Sequence, residues 1–266
     1  MRYSSVNRGP VNRGPSGRGP VPLVAVAHGS RDPRAARTVE ALLDLVRARR
    51  PGLAAVAAYL DHAAPTPGQA LATLAERGHR SAVVLPLLLT AAYHSGTDLP
   101  AALTEVRARH PRLELAYGAT LGPDDLLIDA LDRRLTEAGV DRTDRGTSVV
   151  LAAAGSTDPS AGAVVAGMAR RWRRRTLRDV RVAYASAASP KPGEAVARLL
   201  AEGAPRVAVA TYLLWPGLFA EAVREASVQA GAAVVAPVLG AAPELAELVL
   251  RRYDEAAATA AVPLAG

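Results

Sequence analysis

Val24-Ala25-Val26-Ala27-His28-Gly29-Ser30-Arg31-Asp32-Pro33 is an apolar run that breaks into a polar turn, and the chain writes it twice: Val150-Leu151-Ala152-Ala153-Ala154-Gly155-Ser156-Thr157-Asp158-Pro159 has the same form. Gly29, Ser30, Asp32 and Pro33 return 126 residues later as Gly155, Ser156, Asp158 and Pro159. Tyr59, Pro65 and Pro67 return 125 residues later as Tyr184, Pro190 and Pro192, and Gly78 returns as Gly203. Thr120-Leu121-Gly122 and the amphipathic stretch behind it have a counterpart in Val238-Leu239-Gly240 and its Ala/Glu/Leu-rich sequel. Register held over half a chain marks an internal duplication.

Within the first copy, short Val/Leu/Ala runs alternate with amphipathic stretches: Val21 to Ala27 then Pro33 to Arg50, Leu53 to Leu60 then Thr66 to Gly78, Ala82 to Leu89 then Thr97 to His110, and Leu113 to Ala119 then Pro123 to Gly139. The short runs are apolar on both faces, as buried parallel strands are, while Val39, Leu42, Leu43 and Val46 recur at helical spacing. Asp32-Pro33, Thr66-Pro67 and Gly122-Pro123 are helix-opening signals, and Gly78 and Gly139 stand where helices close. These four βα units, repeated, predict an α/β protein of two tandem flavodoxin-like, doubly wound parallel-sheet domains. The halves are placed at residues 21–140 and 148–266, joined by the polar linker Asp141 to Thr147. In that topology the first and third strands are neighbours, and their carboxyl ends flank the switch point where ligands bind.

His28 ends the first strand and His94 follows the third, in Leu89-Thr90-Ala91-Ala92-Tyr93-His94-Ser95-Gly96-Thr97-Asp98-Leu99-Pro100. A lone histidine at a strand end is usually a hydrogen-bonded turn residue. Two at one switch point, both missing from the duplicate, where Ala154 and Phe219 take their places, point to a metal held in the first half and a second half that serves as a wall. Asp61 and His62, just after the second strand, are further candidates, and Asp98 reads either as a helix-start charge or as a carboxylate orienting an imidazole. Gly29, Ser30 and Arg31 open a helix and are candidates for holding an anionic group. Ser30 does not read as a hydrolase nucleophile: no Gly-x-Ser-x-Gly elbow surrounds it, and it persists as Ser156 in the half without histidines. His79 reads as a solvated helix-end residue, His110 as a solvated residue of a charged turn before Pro111, and Arg170-Arg171-Trp172-Arg173-Arg174-Arg175 as a solvated face with Trp172 turned inward.

Composition narrows the chemistry. With no cysteine in 266 residues, disulfides, iron–sulfur clusters and thiolate sites are excluded, so any metal rests on imidazole, carboxylate, carbonyl or water. No apolar run reaches the length of a membrane span and no secretory signal opens the chain, so a cytoplasmic location away from the membrane is expected. Residues 1–20 repeat Val-Asn-Arg-Gly-Pro and read as a disordered tail, which carries four of the arginines behind the net charge of +7. Nucleic acid is not an expected partner, because one Phe and two Trp leave little for base stacking.

With His28-Gly29-Ser30-Arg31 at one strand end and the His94-x-x-x-Asp98-x-Pro100 block after the third, the chain resembles the sirohydrochlorin chelatases, in their long two-domain bacterial form, from about Val21 to the last helix. The resemblance implies insertion of Fe2+ or Co2+, with Ni2+ a further option, into sirohydrochlorin, an anionic tetrapyrrole, in the sirohaem or cobalamin pathway. It further implies no ATP and no organic cofactor, a cleft between the halves, and His28 and His94 as catalytic residues and metal ligands. Two departures stand out: Ala92 replaces a common glycine, and Ala63-Ala64 occupies an often acidic position before Pro65. A monomer is expected, since one duplicated chain supplies both walls, with a dimer as the alternative. The competing readings are a metal or tetrapyrrole carrier without turnover, and a phosphate-ester hydrolase or mutase using His28 as nucleophile.

Overall fold

The computed structural model describes residues 20–90 and 103–260; residues 1–19 of the proposed tail, His94 and Asp98 lie outside the described residues. The first half runs β1 (Leu23–Ala27), α1 (Pro33–Arg49), β2 (Ala55–Tyr59), α2 (Pro67–Glu76), β3 (Ser81–Pro86), a helix α3 described over residues 103–109, β4 (Glu114–Tyr117) and α4 (Asp125–Glu137). The second runs β5 (Thr147–Ala153), α5 (Pro159–Thr176), β6 (Val180–Tyr184), α6 (Pro192–Ala201), β7 (Arg206–Tyr212), α7 (Leu218–Gln229), β8 (Val234–Val235) and α8 (Pro243–Ala260). The sheets are ordered β2-β1-β3-β4 and β6-β5-β7-β8, parallel throughout, so the duplication and the flavodoxin-like order are both present.

Local signals explain most element ends. Asp32 and Asp158 cap α1 and α5 by accepting from the backbone N–H of Arg34 and Ser160, and Thr66 forms a reciprocal capping box with Gln69. At Gly78 and Gly139 the chain turns left-handed, with φ of 84° and 91°, and the next residue's N–H reaches back to Leu74 or Leu135. One expected start shifts: α4 opens at Asp125, not at Pro123, because the Asp124 carboxylate accepts from Leu126 N–H and supplies the cap. The third strand is also shorter than expected, ending at Pro86, and Leu87 to Thr90 leave the sheet toward the cleft.

Strand side chains alternate between two cores. Leu23, Ala25 and Ala27 face inward with Val149, Leu151 and Ala153 of the other half, in a single cluster that spans both. Val24 and Val26 face outward under α2 and α3, and Val150 and Ala152 face outward under α6 and α7. The final helices are exchanged. α8 packs on β3 and β4 and beside α1, whereas α4 packs on β7. Gly118, just past β4, permits this approach, since a Cβ there would meet Leu85 Cδ1 at 2.6 Å and Ala256 Cβ at 3.6 Å.

Polar contacts follow the same seam. Arg133 Nη2 meets Glu244 at 2.6 Å, Tyr253 OH donates to the Val21 carbonyl at 2.8 Å, and the Arg50 guanidinium pairs with Asp254 while lying 5.5 Å from the Tyr253 ring centre. The basic helix face is exposed, as expected, and within it Arg171 and Arg175 pair with Asp125 and Asp129 of α4. Trp172 does turn inward, fully buried, and its indole N–H donates to Asp132 at 3.0 Å.

Candidate metal and tetrapyrrole cleft

The carboxyl ends of β1, β3, β5 and β7 open on a cleft of about 1060 Å³ between the halves. His28, Gly29, Ser30, Arg31, Asp32, His62 and residues 87–90 form one wall; Ala154, Gly155, Ser156, Tyr184, Ala187 and residues 212–221 form the other. A cleft of this size exceeds the usual drug-sized pocket and accommodates a macrocycle.

The turn that presents His28 is held by the backbone. His28 carbonyl accepts from Asp61 N–H at 2.9 Å, as Ala154 carbonyl accepts from Ser186 N–H at 2.8 Å in the duplicate. Gly29 has φ +97°, and a Cβ there would lie 1.7 Å from the Asp61 carbonyl oxygen; Gly155 has φ +90° with the Ser186 oxygen at 2.0 Å. Only glycine fits this close passage of β1 and β2. Ser30 Oγ accepts from Asp32 N–H at 3.1 Å, and Ser156 Oγ from Asp158 N–H at 3.0 Å. Both serines therefore brace the turn, a role that does not depend on ligand. The imidazole is the element that differs: His28 on one side, Ala154 on the other.

His62 also reaches the cleft, from a left-handed backbone at φ 61°. Asp61 Oδ1 accepts from His62 N–H at 2.7 Å and lies 3.3 Å from His62 Nδ1. Asp61 thus orients His62. Among the described residues no three His, Asp or Glu side chains converge as a metal-binding group. His79 and His110 are at the amino ends of β3 and β4, on a separate surface pocket with Arg80, Arg109 and Arg112.

The opposite wall is mostly apolar. Leu218 and Phe219, at the start of α7, are 84% and 50% exposed, and Trp215 borders the cleft beside them. Tyr212 closes the floor, 2% exposed, and its hydroxyl has no hydrogen-bond partner among the described residues. Burial, aided by the nearby Asp124 charge, drives its phenol pKa well above the ordinary tyrosine value, so it stays neutral. Sequence reasoning marked Ala154 and Phe219 in this wall as the places of the missing histidines, but not Trp215 or Tyr212. The offset of 125 that located Phe219 opposite His94 also maps Leu88 to Thr90 onto Leu213 to Trp215, so the whole loop was open to the same reading.

Comparison with known proteins agrees with this construction. The family model described as CbiX matches residues 22–138 and, a second time, residues 148–256. A sirohydrochlorin cobaltochelatase of Priestia megaterium is 27% identical over 203 residues, which cover 75% of this chain and 66% of that protein. A sirohydrochlorin ferrochelatase of the same organism is 28% identical over 201 residues, covering 75% of each. The solved structure of SirB from Bacillus subtilis with Fe3+ superposes with a TM-score of 0.80 at 25% identity, covering 90% of this chain and 96% of that one. Matched twice in tandem, with its strand ends meeting over one cleft, this chain belongs to the CbiX family.

Proposed function

We infer that this chain inserts a divalent metal, Fe2+ or Co2+, into sirohydrochlorin, and that the reaction takes place between the two halves. The observation that carries this reading is the unequal cleft: an imidazole at the strand end of one wall faces an apolar wall in which alanine and phenylalanine replace the histidines. A flat macrocycle is well served by such a site. Trp215, Leu218 and Phe219 offer it an apolar face, while metal and proton chemistry stay on the His28 side. Relatives named as cobalto- and ferrochelatases support the same chemistry.

Each metal that enters the ring displaces two pyrrole N–H protons, so charge balances when M2+ goes in and two protons come out. A neutral imidazole serves both needs, as a ligand for intermediate cations and as a proton acceptor near physiological pH. In this reading His28 and His94 share the metal, and few protein ligands leave the ion open to the incoming ring nitrogens. Arg31, exposed on the His28 wall, meets a carboxylate of the macrocycle. Both walls come from one chain, which supports a monomer as the working enzyme; a cytoplasmic location is part of the same proposal. Among the described residues no helix is long and apolar enough to cross a membrane.

Anaerobic incubation of the full chain with sirohydrochlorin and Fe2+ or Co2+, followed by absorbance, tests the reading. The expected outcome is multiple turnover above the spontaneous rate, with His28→Ala and His94→Ala each lowering kcat by about 100-fold or more, the range for loss of a positioned acid–base group. Tight macrocycle binding with no turnover by the intact chain would make it a carrier instead.

A further inference from the structure

Arg34 is the second residue of α1, one turn beyond the strand end that carries His28. Its Nε donates to both carboxylate oxygens of Asp32, at 3.0 and 2.9 Å, and its Nη2 donates to Asp32 Oδ2 and, across the mouth of the cleft, to Glu221 Oε1 of α7. Helix geometry gives no reason for it. A cation in the first turn opposes the helix dipole, and the duplicate α5 starts equally well with Asp158 as cap and Ser160 in the matching place. Glu221 is the stranger half of the pair. It lines a cleft whose inferred substrate is a polyanion, and a carboxylate there repels what the site must bind.

A charge count sharpens the problem. Apart from histidine, the side chains on the described cleft wall that carry charge at neutral pH are Arg31, Asp32 and Glu221, one cation against two carboxylates. Residues 91–102, outside the described residues, contain no Lys or Arg. A cleft so charged needs a further cation to receive an acidic macrocycle, and Arg34 is bonded to the lining carboxylates Asp32 and Glu221 with Nη1 unengaged among the described residues. Its pair with Glu221 is half exposed on both sides, at 51% and 50%, and water screens pairs of that kind, so exchanging one carboxylate for another costs little. Asp32, which lines the cleft, also holds Nε, so the guanidinium stays tethered beside the cleft when Glu221 is exchanged.

We propose that Arg34 binds a carboxylate of the tetrapyrrole, and that Glu221 is its placeholder, occupying the guanidinium until the substrate carboxylate takes its place. This rests on the metal-insertion reading for the identity of the substrate, but its geometry is independent of metal chemistry. Arg34 is a specificity residue: it selects acidic macrocycles over esterified ones, and Glu221 sets how strongly.

Steady-state insertion kinetics, together with direct titration of a metal-free porphyrin octacarboxylate monitored by tryptophan fluorescence, test the exchange. Glu221→Gln is expected to lower KM and the porphyrin Kd by about threefold or more with kcat unchanged, since it removes the competitor and a repelling charge. Arg34→Ala is expected to raise both by about tenfold, the range for loss of a charge-assisted hydrogen bond, and to abolish the gain from Glu221→Gln in the double variant. The octamethyl ester should bind all variants alike, and Arg49→Ala, at the far end of α1, serves as the control. If Glu221→Gln raises Kd and lowers Tm, the pair is a structural latch and the proposal fails; it also fails if the two substitutions act additively. An intact chain that shows the binding pattern without metal turnover would sink the metal-insertion reading and leave the carboxylate site standing.

Discussion

Gly29 and Gly52 share a left-handed backbone, with φ of +97° and +86°, and differ in what surrounds them. At Gly52 no atom lies within 4 Å of an added Cβ, so Gly52→Ala should cost only the conformational penalty, about 1 kcal/mol. At Gly29 the added carbon would lie 1.7 Å from the Asp61 carbonyl oxygen, and Gly29→Ala should cost about 3 kcal/mol or more, because β1 and β2 must part at their carboxyl ends. Urea denaturation of the two variants checks the order; equal costs would show that the turn has room to relax. The same pair shows what residue-level reading can reach. Gly29 was recognisable because its duplicate, Gly155, keeps the same strained passage, whereas the pair of Arg34 with Glu221 spans 187 residues, and neither residue is marked by the repeat.

The α4–α5 seam shows how elements meet beyond what periodicity reveals. Helical spacing places Trp172 on the buried face of α5, but its partner Asp132 lies in the other half, 40 residues earlier, and nothing in either segment names the other. Burial raises the Asp132 pKa above 3.8, against the pull of the Trp172 N–H and of Arg178, Arg142 and Arg175. A carboxyl whose folded pKa is raised binds its proton more tightly in the native state. The native state therefore loses relative stability as pH rises through the unfolded and folded values, and the loss persists at neutral pH. Asp132→Asn keeps an oxygen for the indole and removes the buried charge. Its Tm should exceed the parent's at about pH 7 and equal it at about pH 3, where Asp132 is already protonated. Thermal melts at the two pH values decide it, and a lower Tm at neutral pH would mean that the three arginines outweigh burial. The cleft walls were half legible in the same way. His28 and Phe219 are fixed by strand ends and by the repeat, while the depth of the opposite wall depends on Tyr212 and Trp215, whose direction only packing sets.

At the scale of the whole molecule, the repeat makes two sheets legible, with their order and their shared cleft, but not the exchange of α4 and α8. Amphipathic spacing states that a helix has an apolar face; it does not state which sheet that face covers. In α8 the residues Leu245, Ala246, Leu248, Val249 and Tyr253 are almost wholly buried, and they serve a core that includes Leu23, Leu85 and Val39 of the first half. That core is continuous from β1 to α8, so the halves are not independent in folding although they are copies in sequence. A chain ending at Ala242 keeps every residue of β1 to α4 yet uncovers β3 and β4. Uncovering the four larger of these side chains, at about 1.5–3 kcal/mol each, costs as much as the total stability of an ordinary domain, about 5–15 kcal/mol. The truncated chain should therefore lose the cooperative thermal transition of the first half and, with it, the placement of His28, although the deletion lies more than two hundred residues away in sequence. Circular dichroism and differential scanning calorimetry of the truncated chain check this directly. A retained, separate transition for residues 20–146 would mean that each sheet carries its own sufficient core, and that the exchanged helices only cover what already folds.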